Sequence, residues 1–142
     1  MKHIHIDANV ILRFLRNDDP VQSPQAAALF QQAQASEEIE LVVSAITVME
    51  VFYVLSRAYG LPRAEAAGLL AEFLHTGVAT CPEDEIVLDA LGRITGQKVS
   101  FGDAYLAAST VTDNAEAASF DQGMRSFKNV RIYPWQGTPR GQ

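Results

Sequence analysis

The sequence predicts an α/β domain with a central, mostly parallel sheet of about five strands, flanked by helices on both faces. Three observations predict it. Short runs rich in Ile and Val alternate with helix-length runs along the chain, and strands separated by helices pair in parallel. The run 41–43, Leu-Val-Val, is continuously apolar, as a strand covered on both faces is. Two short runs end abruptly in a carboxylate, at Asp7 and at Asp121, and ligands of open α/β sheets bind outside the carboxyl ends of the strands.

The elements follow in order. Residues 3–6 alternate His and Ile, the two-residue period of a half-buried strand. Val10, Ile11, Phe14 and Leu15 then repeat at helical spacing, so Asp7 falls where a strand stops and a helix starts. A turn over 17–20 leads to a second helix, expected to begin with Ser23 as cap and Pro24 in its first position. It runs to about Ala35 and buries Leu29 and Phe30. After the strand 41–43, a third helix is expected over 46–59, ended by Gly60, and Pro62 opens a fourth. Residues 78–80 form an expected third strand. Pro82 and Glu83 start a fifth helix, and Phe101 begins a sixth that ends near Asn114. Strands over 116–120 and 130–132 complete the sheet, with a short helix over 122–127 between them. No repeat, linker or low-complexity tract interrupts this order, so residues 1–142 are expected to form one domain, with a flexible tail over about 134–142.

Composition narrows the class. Hydrophobic residues make up 48% of the chain, too many for a disordered segment. Cys81 is the only cysteine, so no intrachain disulfide forms, which suits a reducing compartment. The N-terminus lacks the pattern of a signal peptide, and the apolar stretch 41–56 is interrupted by Glu50 and too short to span a membrane. A cytoplasmic protein is expected. The net charge of −6 argues at first against a nucleic-acid partner. Much of it belongs to four acids, and a divalent cation among them would neutralise it.

Those acids are Asp7, Glu50, Asp103 and Asp121. Asp7 also suits a plain helix cap. Glu50 lies within 46–55, where nearly every other residue is apolar, and a lone buried carboxylate costs several kcal/mol or takes a proton. Thr47 and Glu50 have the spacing of a capping box, although Ser44, directly after the strand, is the better placed cap. Asp103 occupies the first turn of an apolar helix, where the helix dipole favours an acid. Asp121 ends the strand 116–120 and could cap the helix that follows. Four carboxylates gathered at one sheet edge cannot all stay ionised without a cation. All-oxygen ligands indicate a hard ion, Mg²⁺ or Mn²⁺. His3, His5 and His75 lack ligand spacing with one another, so no zinc site is expected.

Asp7-x-Asn9 after a first strand, Ser44-x-x-Thr47-x-x-Glu50, Phe101-x-Asp103-Ala104 and Ser119-x-Asp121 together resemble the PIN-domain nucleases. The length and element order resemble the VapC-type toxins of type II toxin–antitoxin pairs. The resemblance covers roughly residues 2–133, and Ser119 stands where Thr is often seen. It implies an endoribonuclease dependent on Mg²⁺ or Mn²⁺, a homodimer, and inhibition by a small, DNA-binding, VapB-like antitoxin. On that reading Asp7 and Asp103 are the primary metal ligands. Glu50 binds through water, holds a second ion or orients the attacking water, and Asp121 completes the cup. Asn9 and Ser119 face the phosphate or support the ligands. Arg13, Arg16, Lys98, Arg125, Lys128 and Arg131 are candidates to flank an RNA cleft. The homodimer is expected through Phe52, Tyr53, Leu55, Leu69, Leu70, Phe73 and Leu74 on the third and fourth helices. Two other functions compete: a metal-dependent phosphohydrolase or receiver-like phospho-acceptor domain, and a non-catalytic PIN module binding RNA or protein. A receiver would carry an acceptor Asp on a middle strand, whereas the second strand here ends in Val43-Ser44.

Overall fold

The computed structural model describes residues 1–137. β1 (Lys2–His5) runs parallel to β2 (Ile39–Val42), with Lys2 opposite Ile39 and His5 opposite Val42. The chain between them forms α1 (Ala8–Arg16) and α2 (Gln22–Ala35). The pairing extends one step further, as the Ile6 N–H donates to the Val42 carbonyl at 3.0 Å.

α2 starts earlier than Ser23-Pro24 suggests. Asp19 supplies the cap: its Oδ1 accepts the Val21 and Gln22 N–H groups at 2.9 and 2.7 Å. Those bonds hold the Asp19 carboxyl below its ordinary range. Ser23 is buried, and its Oγ accepts the Asp19 N–H at 3.2 Å. A carboxylate is the stronger acceptor for helix N–H groups, and Pro24 still falls in the first turn, where its missing donor costs nothing.

α3 (Ala45–Tyr53) begins at Ser44, whose Oγ accepts the Thr47 N–H at 3.2 Å. It continues into a π-helical turn over Val54–Ala58 and stops at Gly60, which adopts φ +71°. Pro62 precedes α4 (Arg63–His75), and Glu83 precedes α5 (Asp84–Gly96). α6 (Phe101–Thr112) is followed by Asn114 in the left-handed region. β3 (Glu116–Ala117) and β4 (Arg131–Ile132) form a second parallel pair, with Asp121 and a 3₁₀ turn over Gln122–Ser126 between them.

Every pairing among the described residues is parallel, yet the five-strand sheet is not formed. Two small sheets stand in its place, β1–β2 and β3–β4. The expected strand 78–80 is reduced to one bridge between Thr80 and Val42. Gly77 turns the chain at φ +74° before it, and Pro82 after it has no N–H to extend a ladder. The expected strand 116–120 keeps two paired residues. Asn114 turns the chain before it, and the Asp121 N–H folds back onto Ser119 Oγ at 3.0 Å after it. Asn129, at φ +66°, and Pro134 confine β4 in the same way.

One large core joins α1 to α6 with β2, and a smaller cluster of Ala107, Ala117, Met124 and Phe127 supports the second sheet. Phe52, Leu55, Leu70, Phe73 and Leu74, which suggested an interface by sequence, are buried in the domain's own core. The rings of Phe14 and Phe73 both pack against Phe30, at 4.5 and 5.7 Å between centroids. The expected tail, 134–142, is described as far as Gly137, and its remaining residues lie outside the described ones. Within it, Trp135 stacks on Phe120 at 4.4 Å, and its indole N–H donates to the Ser119 carbonyl at 3.1 Å.

A polar clasp closes the end of α1. Asp18 receives Arg13 Nη1 at 3.1 Å and the Tyr59 hydroxyl at 2.6 Å. The Tyr59 bond holds the Asp18 carboxyl below its usual range, and the same bond raises the Tyr59 hydroxyl. A lowered carboxyl adds stability that is complete above its unfolded value and is lost as pH falls through its folded value. A raised tyrosine adds stability that is lost as pH rises through its folded value. The stability difference between the wild type and Asp18→Asn is therefore expected to be flat between about pH 5 and 9 and to shrink on both sides. Urea denaturation across that range checks it. A difference that does not change with pH would remove the clasp's role.

Candidate active site

Each of the four acids sits at the start of a helical segment or on one. Asp7 caps α1, with extended backbone and Oδ1 accepting the Val10 N–H at 3.1 Å. It is exposed, and its second oxygen has no partner among the described residues. The cap and a ligand role use different oxygens, so the two readings of Asp7 are compatible.

Glu50 is exposed, against the burial its apolar surroundings suggest. α3 turns Val48, Val51 and Phe52 into the core. Ile46 and Glu50, one turn apart, face outward together, and Ile46 is 66% exposed. The apolar run therefore continues onto the surface around Glu50. No capping box forms. The Thr47 N–H goes to Ser44, and the Glu50 carboxylate makes no hydrogen bond or ion pair among the described residues.

Asp103 is the third residue of α6, and three contacts fix where that helix begins. Ser100 Oγ accepts the Asp103 N–H at 3.0 Å. Tyr53 Oη, on α3, accepts the Phe101 N–H at 3.1 Å. The Tyr105 hydroxyl donates to Glu83 Oε2, which raises the Tyr105 hydroxyl above its ordinary value. Asp103 is thus a half-buried carboxylate on an anchored helix start, with its own oxygens unpartnered among the described residues. Asp121 caps the 3₁₀ turn, its Oδ1 accepting the Gly123 N–H at 2.9 Å. Ser119 Oγ is committed to the Asp121 backbone, and Asn9 is exposed.

The first three acids stand on directly joined elements. β1 carries Asp7 at its end and is bonded to β2. β2 leads into α3 with Glu50, and Tyr53 ties α3 to the start of α6. Among the described residues no group of three or more His, Cys, Asp or Glu is close enough to hold an ion. The donors fit a hard cation in kind. They offer only oxygen, and among the described residues the two salt bridges, Arg13–Asp18 and Arg93–Asp89, neutralise other acids. Mg²⁺ binds through one or two carboxylates and keeps several waters, so a three-carboxylate cage is not required of the protein.

A search against family models matches residues 4–130 to the PIN domain. The chain belongs to the PIN-domain family. PIN domains are generally metal-dependent nucleases. No curated protein matches the chain. The matched span of this PIN domain contains all four acids and the elements that position them.

Two cavities adjoin the acids. A groove of about 420 Å³ between α1 and α2 is lined by Asp7, Asn9, Arg13, Gln22 and Gln25. A pocket of about 310 Å³ between α3 and α6 is lined by Ile46, Met49, Phe101 and Tyr105, next in sequence to Glu50 and Asp103. Gln22 and Gln25 were not singled out by sequence. Their spacing marks one face of α2, but only the fold shows that this face lies along the start of α1.

The six candidate cations differ in freedom. Arg13 is held by Asp18 and by Gln22 Oε1 at 3.0 Å. Arg16 lies over the Tyr59 ring, and Arg131 donates to Asn114. Lys98, Arg125 and the Lys128 ammonium are exposed, with no charged partner among the described residues. No helix among the described residues is long and apolar enough to cross a membrane.

Proposed function

We propose that this PIN-domain protein is an endoribonuclease dependent on Mg²⁺ or Mn²⁺, and the toxin of a VapC-type toxin–antitoxin pair acting in the cytoplasm. The observation that carries the nuclease reading is the set of carboxylates at Asp7, Glu50 and Asp103, on adjoining elements and without a cationic side chain on them. Asp7, through its uncapped oxygen, and Asp103 would hold the ion, which would supply a water of lowered pKa and charge stabilisation at a phosphoryl oxygen undergoing in-line displacement. Glu50, free and exposed one turn before Tyr53, orients the attacking water or holds a second ion. Asp121, at the cap of the 3₁₀ turn, would be the fourth acid of the site. Cys81 offers no competing nucleophile, since it is buried and burial raises its thiol. The chain supplies position and charge, and water supplies the nucleophile.

The toxin reading rests on the sequence resemblance and on two supporting features. An antitoxin Arg pairs bidentately with carboxylates such as these. The exposed apolar side chains of Ile46 on α3 and Leu106 on α6 leave surface for a second copy or a partner helix. Purified protein incubated with RNA, mononucleotide and phosphoprotein controls, with and without Mg²⁺, tests the nuclease reading. Co-expression with the neighbouring gene product tests the toxin reading through growth and complex formation. RNA left intact under all conditions would end the first, and a harmless protein that forms no complex would end the second.

A further inference from the structure

Beyond the acids, an aromatic side chain stands open on the surface directly beside Asp121. Phe120 is 85% exposed. One face of its ring lies on Trp135, with centroids 4.4 Å apart and planes within 16°. Tyr133 meets Trp135 edge-on at 4.9 Å, and the indole N–H is tied to the Ser119 carbonyl. The Phe120 ring is therefore held on a rigid aromatic base while its outer side meets solvent. Phe120 and Tyr133, both exposed and both packed on Trp135, form a contiguous aromatic patch, the kind of surface that marks an interaction site. The local charge points to the kind of partner. The segment 119–135 carries three basic residues, Arg125, Lys128 and Arg131, and one acid, Asp121, in a chain of net charge −6. Arg125 lies on the 3₁₀ turn that follows Asp121, exposed and unpaired among the described residues.

We infer that Phe120, backed by Trp135 and Tyr133, is a stacking platform for a base of single-stranded RNA, with Arg125 contacting the adjoining phosphate. Aromatic side chains beside a basic groove bind single strands through base stacking, with little sequence preference. A duplex keeps its bases stacked inside and gives the platform nothing to hold. The platform thus selects unpaired RNA and holds its backbone beside Asp121. The inference rests on the nuclease reading for the substrate, and it can fail without it.

The test uses the full chain carrying Asp103→Asn, so that RNA survives the measurement. Binding of a labelled single-stranded oligouridylate and of a duplex of equal length is followed by fluorescence anisotropy. Phe120→Ala is expected to weaken single-strand binding roughly tenfold and to leave the weaker duplex binding unchanged. Phe120→Tyr is expected to restore it, since the ring and its stacking face return. Trp135, the only tryptophan, adds an intrinsic reading: its emission changes on binding when residue 120 is aromatic. In the active chain, Phe120→Ala raises KM and leaves kcat. Single-strand affinity untouched by Phe120→Ala, or lost and not restored by Phe120→Tyr, overturns the platform. So does a partner protein whose binding depends on Phe120 when RNA binding does not. Cleavage that persists with Phe120-independent binding sinks the platform and spares the nuclease. Phe120-dependent binding in a chain that never cleaves RNA does the reverse.

Discussion

Asp103→Asn is expected to abolish Mg²⁺-dependent RNA cleavage, by at least about a hundredfold, because electrostatic stabilisers of a reacting centre are commonly worth that much. The fold is expected to survive. The start of α6 is set by Ser100 Oγ, Tyr53 Oη and the Tyr105–Glu83 bond, none of which uses the Asp103 carboxylate. The Asp103 carboxylate itself makes no hydrogen bond or ion pair among the described residues, so stability without metal is expected to stay level. Asp7→Asn gives the same loss for a different structural reason. Asn caps a helix as well as Asp does, so the bond to the Val10 N–H is kept while the charge goes. Asp7→Ala adds about 1 kcal/mol of lost capping, and the pair of variants separates charge from cap. Melting curves supply a second measure. Mg²⁺ raises the wild-type Tm by mass action, and the increase disappears in both Asn variants. Cleavage at the wild-type rate by Asp103→Asn, with contaminating nuclease excluded, would overturn the site.

Phe52→Ala is expected to lose about 3–5 kcal/mol, the range for truncating a buried Phe, and to lower Tm by roughly 10 °C or more. Phe52 is fully buried, with its ring 5.3 Å from Tyr53 and 6.0 Å from Phe101. Its truncation opens a cavity where α3 meets the start of α6. Activity is expected to fall further than the acids alone would explain, since Tyr53 loses the packing that aims its hydroxyl at the Phe101 N–H. Phe52→Leu keeps most of the volume and loses less of both. Urea denaturation and cleavage assays measure the two effects, and a loss below about 1 kcal/mol would show that the site relaxes to fill the space.

The helix boundaries that depend on single local residues were legible in the sequence. Ser44 caps α3, Gly60 ends the helical run at positive φ, Pro62 and Glu83 precede α4 and α5, Phe101 opens α6, and Asp121 caps the 3₁₀ turn. The start of α2 was misread because Ser23-Pro24 and Asp19 both fit a cap, and only the fold shows Ser23 buried. The sheet was less legible. Extended runs such as 78–80 reveal their own preference but not the length over which a neighbour can pair with them. Gly77, Asn114 and Asn129, all at positive φ, cut those lengths short. Of the candidate site, the sequence offers four acids in order, and the structure places three of them on joined elements without gathering three acids into one cluster among the described residues. The exposure of Glu50 was not legible, because an apolar neighbour such as Ile46 carries no mark of which side of a helix meets water. The stack of Trp135 on Phe120 joins residues whose meeting depends on how the second sheet closes.

Cys81 gives the molecule a built-in clock. The thiol is buried directly after the bridge between Thr80 and Val42 and before α5. Its burial also raises the thiol above its ordinary range, so the folded state holds it both shielded and protonated. A thiol reagent can therefore reach it only when this junction opens, and the labelling rate reads the free energy of that opening in native buffer. With no second cysteine to compete, each modified molecule records one such event. Comparing the rate in Phe52→Ala with that in the wild type then shows whether the β2–α5 junction opens with the α3–α6 contact or independently of it.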